Sequence, residues 1–341
     1  MLECRPAAED CVALGMSSET LGDLPHLVLV TGATGFIGRR LLPRLAESGL
    51  RVRTLLKPSR YTPNLPTGLA LEVAVASLAD IRGVRAAMVG VDTVIHLASE
   101  EKYGVKADLA TCDVEGTENL ARSAAEAGAK RLVFVSHLGA DRSSAYPVLK
   151  AKGFAEDFVR SGGAPYTILR CGPVFGRGDR FTTAISKAAA ALPFIFPIPG
   201  QGATLLQPIW VEDLVTSILW LLDDPSTLDQ TYEIGGAEFL SVYDIIQTVF
   251  RQAGIHRSLL PVRPPYLRWF VTFFERLLPK PPLTALNLDY VAANRIAELD
   301  SLTRMVGLRP SRMDEHLDHL QGRRWFLHFV SDQMARRERV G

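Results

Sequence analysis

The chain has 341 residues, of which 47% are hydrophobic and 22% charged, and its formal net charge is +1. This balance fits one large α/β domain, or one domain with a smaller lobe, around a full hydrophobic core. A net charge near zero gives no electrostatic case for a nucleic-acid partner. No run of about 18 apolar residues occurs, so the sequence predicts no membrane-spanning helix.

The cysteines and the start of the chain bear on the compartment. Cys4, Cys11, Cys112 and Cys171 are widely spaced and form no Cys-x-x-Cys pair. This usage favours reduced thiols in a cytoplasmic protein. No cysteine or histidine motif predicts a metal site. Residues 1–24 lack the basic start and apolar run of a signal peptide, so we expect a flexible leader there.

The segment HLVLVTGATGFIG predicts the first strand and the start of the first helix. Its apolar beginning, His26–Val30, is typical of a buried parallel strand, and Arg39–Ser48 follow as a helix. Gly32, Gly35 and Gly38 recur at three-residue spacing. One glycine permits the tight turn, one lets the backbone approach a pyrophosphate, and one lets the helix pack close to the strand. Because a helix N-terminus favours phosphates, the segment predicts dinucleotide binding.

Strand and helix patterns then alternate through the first two-thirds of the chain. Further strands are predicted at Arg51–Leu56, Leu69–Val75, Asp92–Ala98, Arg131–Ser136 and Pro165–Arg170, with helices at Ile81–Val89, Asp113–Ala127 and Pro147–Ser161. Such alternation is typical of βαβ units and predicts an α/β fold with a Rossmann-type, doubly wound parallel sheet. Right-handed crossovers would place the ligand at the carboxyl ends of the strands.

After the sixth strand the pattern becomes less regular. We expect a Pro/Gly-rich loop over Phe194–Gly202, a short strand and a helix over Ile209–Asp223, and a further strand over Thr231–Gly235. The last hundred or so residues are rich in helix patterns and interrupted by prolines. The predicted organisation is a dinucleotide-binding Rossmann domain over residues 25–240 and a smaller helical lobe over residues 241–341 that contacts a substrate or a partner.

Six further segments resemble, in order, those of the extended and atypical short-chain dehydrogenase/reductases. They are VIHLAS, DVEGTENL, RLVFVSHLGA, YTILRCGPVFGRGD, PIWVEDLVTSI and YEIGG. Two positions depart from the usual pattern, with Asp113 in place of Asn and Cys171 in place of Pro. The resemblance implies a nicotinamide cofactor. It also implies cofactor contacts from Gly32, Thr34, Gly35, Phe36, Ile37, Gly38, Leu78, Leu97, Ala98 and Pro173.

Within that superfamily the chain is similar to the NAD-dependent epimerase/dehydratases and the NmrA-like proteins. The segments LLPKPPLT and NRIAELDSLTRMVGLRP resemble the group that contains the nucleotide-binding accessory subunit of respiratory complex I. The resemblance implies an oxidoreductase or an epimerase/dehydratase-like enzyme that acts by hydride transfer. The alternative is a non-catalytic NADPH-binding accessory or redox-sensing protein that docks a partner such as a respiratory membrane complex. The substrate and the protein partner stay open.

The end of the second strand indicates which dinucleotide binds. NAD-selective sites usually place an acid there to hold the ribose 2′-hydroxyl. This chain instead reads LKPSR and has no acid between residues 51 and 71. Lys57 and Arg60 could pair with a 2′-phosphate through charge-assisted hydrogen bonds. We therefore expect NADP(H) in preference to NAD(H).

Active members of the superfamily carry a Tyr and, four residues later, a Lys on one helix face, with a Ser nearby. The Tyr passes a proton to or from the substrate oxygen, and the Lys lowers the Tyr pKa and holds the nicotinamide ribose. This chain offers Tyr146 and Lys150, with Ser136 upstream. However, Pro147 directly follows the tyrosine, and a residue before proline is pushed out of the helical region.

A second register is also open. Lys152-x-x-x-Glu156 resembles the Lys-x-x-x-Glu of atypical members, and in that register Lys152 binds the ribose. The tyrosine position is then Val148, which donates no proton. His137, beside the serine, is an alternative acid or base.

One apolar segment of the C-terminal lobe, PYLRWFVTFFERLLP, is expected to pack against the core, a partner or a membrane. Its run Trp269–Phe274 is strongly apolar, but Arg268, Glu275 and Arg276 bracket it closely. A helix packed in the core or against a partner is one interpretation, and an interfacial membrane helix is the other. The second gives a cytoplasmic protein with peripheral membrane contact through residues 259–283.

Overall fold

The structure, a computed structural model, describes residues 26–334, so the predicted leader lies outside the described residues. The strands are β1 (Leu27–Thr31), β2 (Arg51–Leu56), β3 (Leu71–Val75), β4 (Thr93–His96), β5 (Arg131–His137), β6 (Tyr166–Cys171), β7 (Val174–Phe175), β8 (Ile195–Pro199), β9 (Leu205–Leu206), β10 (Ile209–Trp210), β11 (Gln230–Ile234), β12 (Leu240–Ser241) and β13 (Ser258–Val262). The α-helices are α1 (Phe36–Glu47), α2 (Ile81–Ala87), α3 (Gly116–Glu126), α4 (Pro147–Ser161), α5 (Phe181–Ala191), α6 (Val211–Asp223), α7 (Val242–Ala253), α8 (Pro264–Leu277), α9 (Ala285–Tyr290), α10 (Ser301–Val306) and α11 (Trp325–Met334).

Seven parallel strands form the central sheet, in the order β3-β2-β1-β4-β5-β6-β11. The order reverses between β1 and β4, which creates a crevice at the carboxyl ends of these two strands. The five residues of β1 are all buried because helices cover both faces of the sheet. The predicted fold class, a Rossmann-type doubly wound sheet with a helical C-terminal region, is confirmed.

Two hydrophobic cores lie on the two faces of the sheet. On one face α1 and α6 pack together, with Leu41, Leu45, Leu214 and Ile218 fully buried. On the other face α2, α3 and α4 pack side by side, around residues such as Leu120. A sheet buried on both sides explains why its strands are continuous apolar runs rather than alternating ones.

A third core lies beyond the sheet and is built from both sides of residue 240. Phe175, Phe196 and Ile198 pack there with Ile245 and Trp325. The expectation of a loop over Phe194–Gly202 was wrong, because β8 runs through it and pairs in parallel with β13. Its buried side chains alternate with more exposed ones, and prolines are tolerated because the pair has only two strands.

The helix predicted over Asp113–Ala127 begins differently from the prediction. A π-helical turn, Ala110–Glu115, comes first, and α3 continues from Gly116. A wider turn of this kind is frequent at functional sites. No helix within residues 26–334 is long and apolar enough to cross a membrane.

Candidate functional site

A cleft of about 1800 Å³ runs along the carboxyl ends of the sheet strands and beneath the C-terminal elements. It begins at the loop after β1, passes the ends of β4 and β5, and reaches the loop between α8 and α9. A typical small-molecule pocket has a volume of about 300–1,000 Å³. The cleft is therefore large enough for a dinucleotide and a second ligand.

The turn after β1 lets a ligand approach the backbone closely. Gly32 has a φ of +72°, and a Cβ there would lie 2.7 Å from the backbone N of Ala98. A Cβ on Gly38 would lie 2.5 Å from the carbonyl oxygen of Gly32, so neither glycine can be replaced without displacing backbone. The N-cap of α1 is Gly35, and no side chain caps the helix. Its first N–H groups are thus left for an anion.

The buried residue His96 links the ends of β1 and β4 to α3. Its Nδ1 lies 2.6 Å from Thr31 Oγ1, and its Nε2 lies 2.9 Å from Thr117 Oγ1. Complete burial lowers the pKa of His96 from 6.5 to about 3, so the ring is neutral. The amide of Ala98 also donates to Thr31 Oγ1, at 3.3 Å. The network therefore fixes the backbone against which Gly32 packs.

Of the two basic residues predicted to bind a 2′-phosphate, only one lines the cleft. Lys57 lines the cleft at the end of β2, and its Nζ lies 3.0 Å from Glu100 Oε1. This hydrogen bond raises the pKa of Lys57. Arg60 is exposed and does not line the cleft.

Lys152 is buried against the floor of the cleft. Its Nζ lies 3.4 Å from Asp113 Oδ1 and 5.2 Å from the centre of the Phe134 ring. Asp113 stands in the π-helical turn, and its Oδ2 accepts a hydrogen bond from the amide of Glu100 at 3.0 Å. Lys152 and Asp113 thus form a buried ion pair at the edge of the cleft. Asp113 Oδ1 accepts no hydrogen bond within the described residues.

Tyr146 and Lys150 do not line this cleft. Tyr146 is the N-cap of α4, with φ −92° and ψ 120°, because Pro147 occupies the first helical position. Its side chain borders a separate pocket of about 280 Å³ beside Arg295. Lys150 is exposed.

Ser136 faces away from the cleft. It is completely buried, and its Oγ donates to Glu156 Oε1 at 2.6 Å. Arg170 also donates to this carboxylate, through Nη2 at 2.7 Å. Glu156 therefore links α4 to both β5 and β6. One helical turn before Lys152 the residue is Val148, which does line the cleft.

His137, at the end of β5, centres a cluster that sequence reasoning missed. Its Nε2 lies 2.9 Å from Glu101 Oε2, and its ring meets Tyr290 edge-on with centroids 5.3 Å apart. The guanidinium of Arg295 lies 3.9 Å from the centre of the Tyr290 ring. His137 Nδ1 and two nitrogens of Arg295 are buried with no hydrogen-bond partner among the described residues. Three elements distant in sequence build the cluster, so no local motif reveals it.

Charge in this cluster is set by its neighbours. Burial by itself raises the pKa of Glu101, but the nearby charges of His137, Lys152 and Arg295 outweigh burial and lower that pKa to about 2. Burial raises the pKa of Tyr290, whose phenol stays protonated. The inner end of the cleft thus contains a carboxylate, an imidazole and a neutral phenol. The only local feature of the sequence that points to this cluster is the pair of acidic residues after β4, Glu100 and Glu101.

Most residues predicted to contact the cofactor line the cleft. They are Gly32, Thr34, Gly35, Phe36, Ile37, Gly38, Lys57, Leu78, Leu97, Ala98, Lys152 and Pro173. Arg60 is the exception. Among residues 26–334, no group of three or more His, Cys, Asp or Glu side chains could hold a metal ion.

Known proteins have related sequences and the same fold. A family described as NAD(P)H-binding matches residues 32–187. The chain therefore contains an NAD(P)H-binding domain, which includes the glycine turn and the strands β2 to β6.

Two curated relatives have different kinds of role. The chain is 31% identical over 230 residues to NADH dehydrogenase (ubiquinone) 1 alpha subcomplex subunit 9, mitochondrial, of Arabidopsis thaliana. That match covers 65% of this chain and only 56% of the relative. The chain is 24% identical over 322 residues to a 3 beta-hydroxysteroid dehydrogenase/Delta 5→4-isomerase of Mycobacterium tuberculosis, covering 83% of this chain and 86% of the relative.

A solved structure has the same fold. The NADPH-dependent quinone oxidoreductase of Escherichia coli, complexed with NADPH, superposes with a TM-score of 0.68 at 17% identity. The alignment covers 86% of this chain and 99% of that one. At this identity the likeness shows a shared fold.

Proposed function

We propose that the protein is an NADP(H)-dependent oxidoreductase that reduces the carbonyl group of an apolar compound, with His137 as its proton donor. The proposal depends on which residues of α4 face the cleft. Lys152 lies on the floor of the cleft with Val148 one turn before it, while His137 lies on the same cleft with a carboxylate partner.

The chain's own residues fit the cofactor. The cradle formed by Gly32 and Gly38 would be filled by any Cβ, and the uncapped N-terminus of α1 suits a pyrophosphate. Lys152, held by Asp113, would hold the nicotinamide ribose. Reduced nicotinamide supplies a hydride when it is bound.

His137 completes the reduction with a proton. Glu101 accepts from Nε2 and stabilises the imidazolium, which leaves Nδ1 to hold the proton that the substrate oxygen takes. The carbonyl carbon gains the hydride, the oxygen gains the proton, and the product is an alcohol. Lys152 adds a positive charge that favours the developing negative charge on that oxygen.

The cleft wall indicates the class of substrate. Partly exposed apolar side chains line it on the side of the C-terminal elements, among them Pro279, Pro281, Leu283 and Leu286. Such a wall suits a substrate with a large apolar body. A steroid dehydrogenase among the relatives and a quinone oxidoreductase among the structures of the same fold support this class.

Preference for NADP(H) rests on Lys57. It lines the cleft at the end of β2, where an NAD-selective enzyme would have an acid. Its hydrogen bond with Glu100 raises the pKa of Lys57, so the amino group is charged. Arg60 does not line the cleft, so we assign the 2′-phosphate to Lys57 alone.

A second candidate function is a non-catalytic NADP(H)-binding accessory protein, in the cytoplasm or at the membrane periphery. Val148 at the tyrosine position favours it, and so does the similarity to a respiratory-complex subunit. In that case the cofactor would be held without turnover, and the apolar segment 259–283 would dock a partner.

The deciding experiment follows the oxidation of NADPH by its absorbance, with a panel of steroid ketones and quinones as substrates. We expect turnover that His137→Gln lowers by about 100-fold, with NADPH affinity unchanged, because general acid catalysis contributes about that much. Tyr146→Phe is the matched control and should leave the rate within about twofold. If Tyr146→Phe abolishes turnover and His137→Gln does not, the assignment of the donor is wrong. Tight NADPH binding without turnover on any member of the panel would support the accessory function.

A further inference from the structure

We propose that α8 and the loop after it form a docking surface for an anionic phospholipid bilayer. This inference concerns a surface outside the dinucleotide site and does not depend on the proposed chemistry.

The outer face of α8 is a continuous apolar stripe. Tyr266, Trp269, Phe273 and Leu277 are each more than half exposed, and Trp269 is 71% exposed. Their spacing of three and four residues places them on one side of the helix. The opposite side, with Leu267 buried, packs on the protein. A helix that is apolar on its solvent side has an unpartnered binding face.

The exposed charges of the segment that carries this stripe have one sign. Between residues 255 and 288 the only acid is Glu275, which is 3% exposed and accepts hydrogen bonds from the amides of Val105 and Ala285. Every exposed charged side chain in that range is basic, including Arg263, Arg276 and Lys280. Because the whole chain carries a net charge of only +1, this basic charge is a local concentration.

The combination of exposed aromatic and basic side chains indicates that the partner of this face is an anionic membrane surface. Trp and Tyr prefer the headgroup level of a bilayer, and basic side chains are attracted to anionic lipids. A second copy of this chain, placed by a two-fold axis, would bring the basic residues against one another, which is unfavourable. Arg268 of α8 is paired with Asp289, whereas Arg263 and Arg276 are exposed and form no ion pair within residues 26–334, so both can meet lipid phosphates.

The docked orientation would bring the cleft near the membrane. Pro279, Lys280 and Leu283, in the loop that follows α8, line the cleft. An apolar substrate could then enter from the bilayer, a corollary that does rest on the proposed function.

The test is co-sedimentation of the full chain with vesicles. One set contains phosphatidylcholine alone, and the other contains phosphatidylcholine mixed with phosphatidylglycerol. We expect binding to the anionic vesicles that falls as salt is raised. Trp269→Ser combined with Phe273→Ser should weaken it by about tenfold or more, since each loses apolar area from the interface. Val89→Ser, at an exposed apolar residue far in sequence, is the matched control and should bind normally.

A charge-reversal variant, Arg263→Glu combined with Arg276→Glu, keeps the test valid if the serine variant fails to fold. It should abolish the preference for anionic vesicles. Equal binding to both vesicle types, or no binding by the unmodified chain, overturns the proposal. Sedimentation velocity without lipid gives a further check. A dimer that the serine variant converts to a monomer, without vesicle binding, would assign the surface to a second copy instead.

Discussion

The two ends of the cleft are built in different ways. At the end formed by the glycine turn, one short segment after β1 provides the turn, the close backbone approach and the helix N-terminus. At the inner end, Lys152, His137, Glu101 and Tyr290 come from four elements. The first end is determined by local backbone geometry, and the second by side chains that only folding brings together. Substitutions should therefore act on cofactor binding at one end and on chemistry at the other.

The largest effect on cofactor affinity is expected at the glycine turn. Gly32→Val should lower NADPH affinity by at least about 100-fold, because the new Cβ meets backbone and the left-handed φ is strained. Isothermal titration of NADPH measures this. Gly49→Ala, at a similar φ of +75° but with no atom within 4 Å of the Cβ, is the control. It should cost some stability and leave affinity unchanged, and equal losses of affinity in both variants would contradict the argument.

At the inner end, Lys152→Met and Lys150→Met test the register of α4. Lys152→Met should weaken NADPH binding or turnover by about 10- to 100-fold, because it removes the buried amino group that we propose holds the ribose and leaves Asp113 without its partner. Lys150 is exposed, so its substitution should change either quantity by less than about twofold. The reverse result would restore the Tyr146/Lys150 pair as the catalytic dyad.

His96, which is hydrogen-bonded to Thr31 and Thr117, should make stability depend on pH. Its folded pKa of about 3 lies below the ordinary 6.5, so the folded state binds fewer protons between these values. Its contribution to stability is present above pH 6.5 and is lost as the pH falls through that window, by up to about 1.4 kcal/mol per pH unit. Urea unfolding at several pH values measures how the free energy of unfolding changes with pH, and this change should be smaller for His96→Asn than for the unmodified chain. Equal pH dependence in the two proteins would show that His96 is not the group responsible.

The smallest expected effect concerns cofactor choice. Lys57→Ala should reduce the preference for NADPH over NADH by about tenfold, because a charge-assisted contact with the 2′-phosphate is lost at a partly exposed site. Arg60→Ala should leave the ratio of the two dissociation constants unchanged. A larger effect from Arg60→Ala would return the phosphate to the pair of cations that the sequence predicted.

Local patterns predicted most of the central fold. The strand β2 and the helix α4 lie at the predicted residues, since apolar runs and a proline at the first helical position define them locally. The strand β8 was missed because its partner, β13, lies far along the chain and its prolines are typical of a loop. The π-helical turn before α3 has no sequence signature of its own.

By itself, the sequence determined the doubly wound sheet, the glycine turn and the presence of an NAD(P)H-binding domain. These depend on backbone conformation and on burial of continuous apolar runs, which are properties of short segments. Only the tertiary structure decided which lysine lies on the cleft floor, because the rotation of α4 is fixed by packing against β5 and the π-helical turn. It also decided that His137 meets Glu101 and Tyr290, since these contacts join residues that are far apart in the chain.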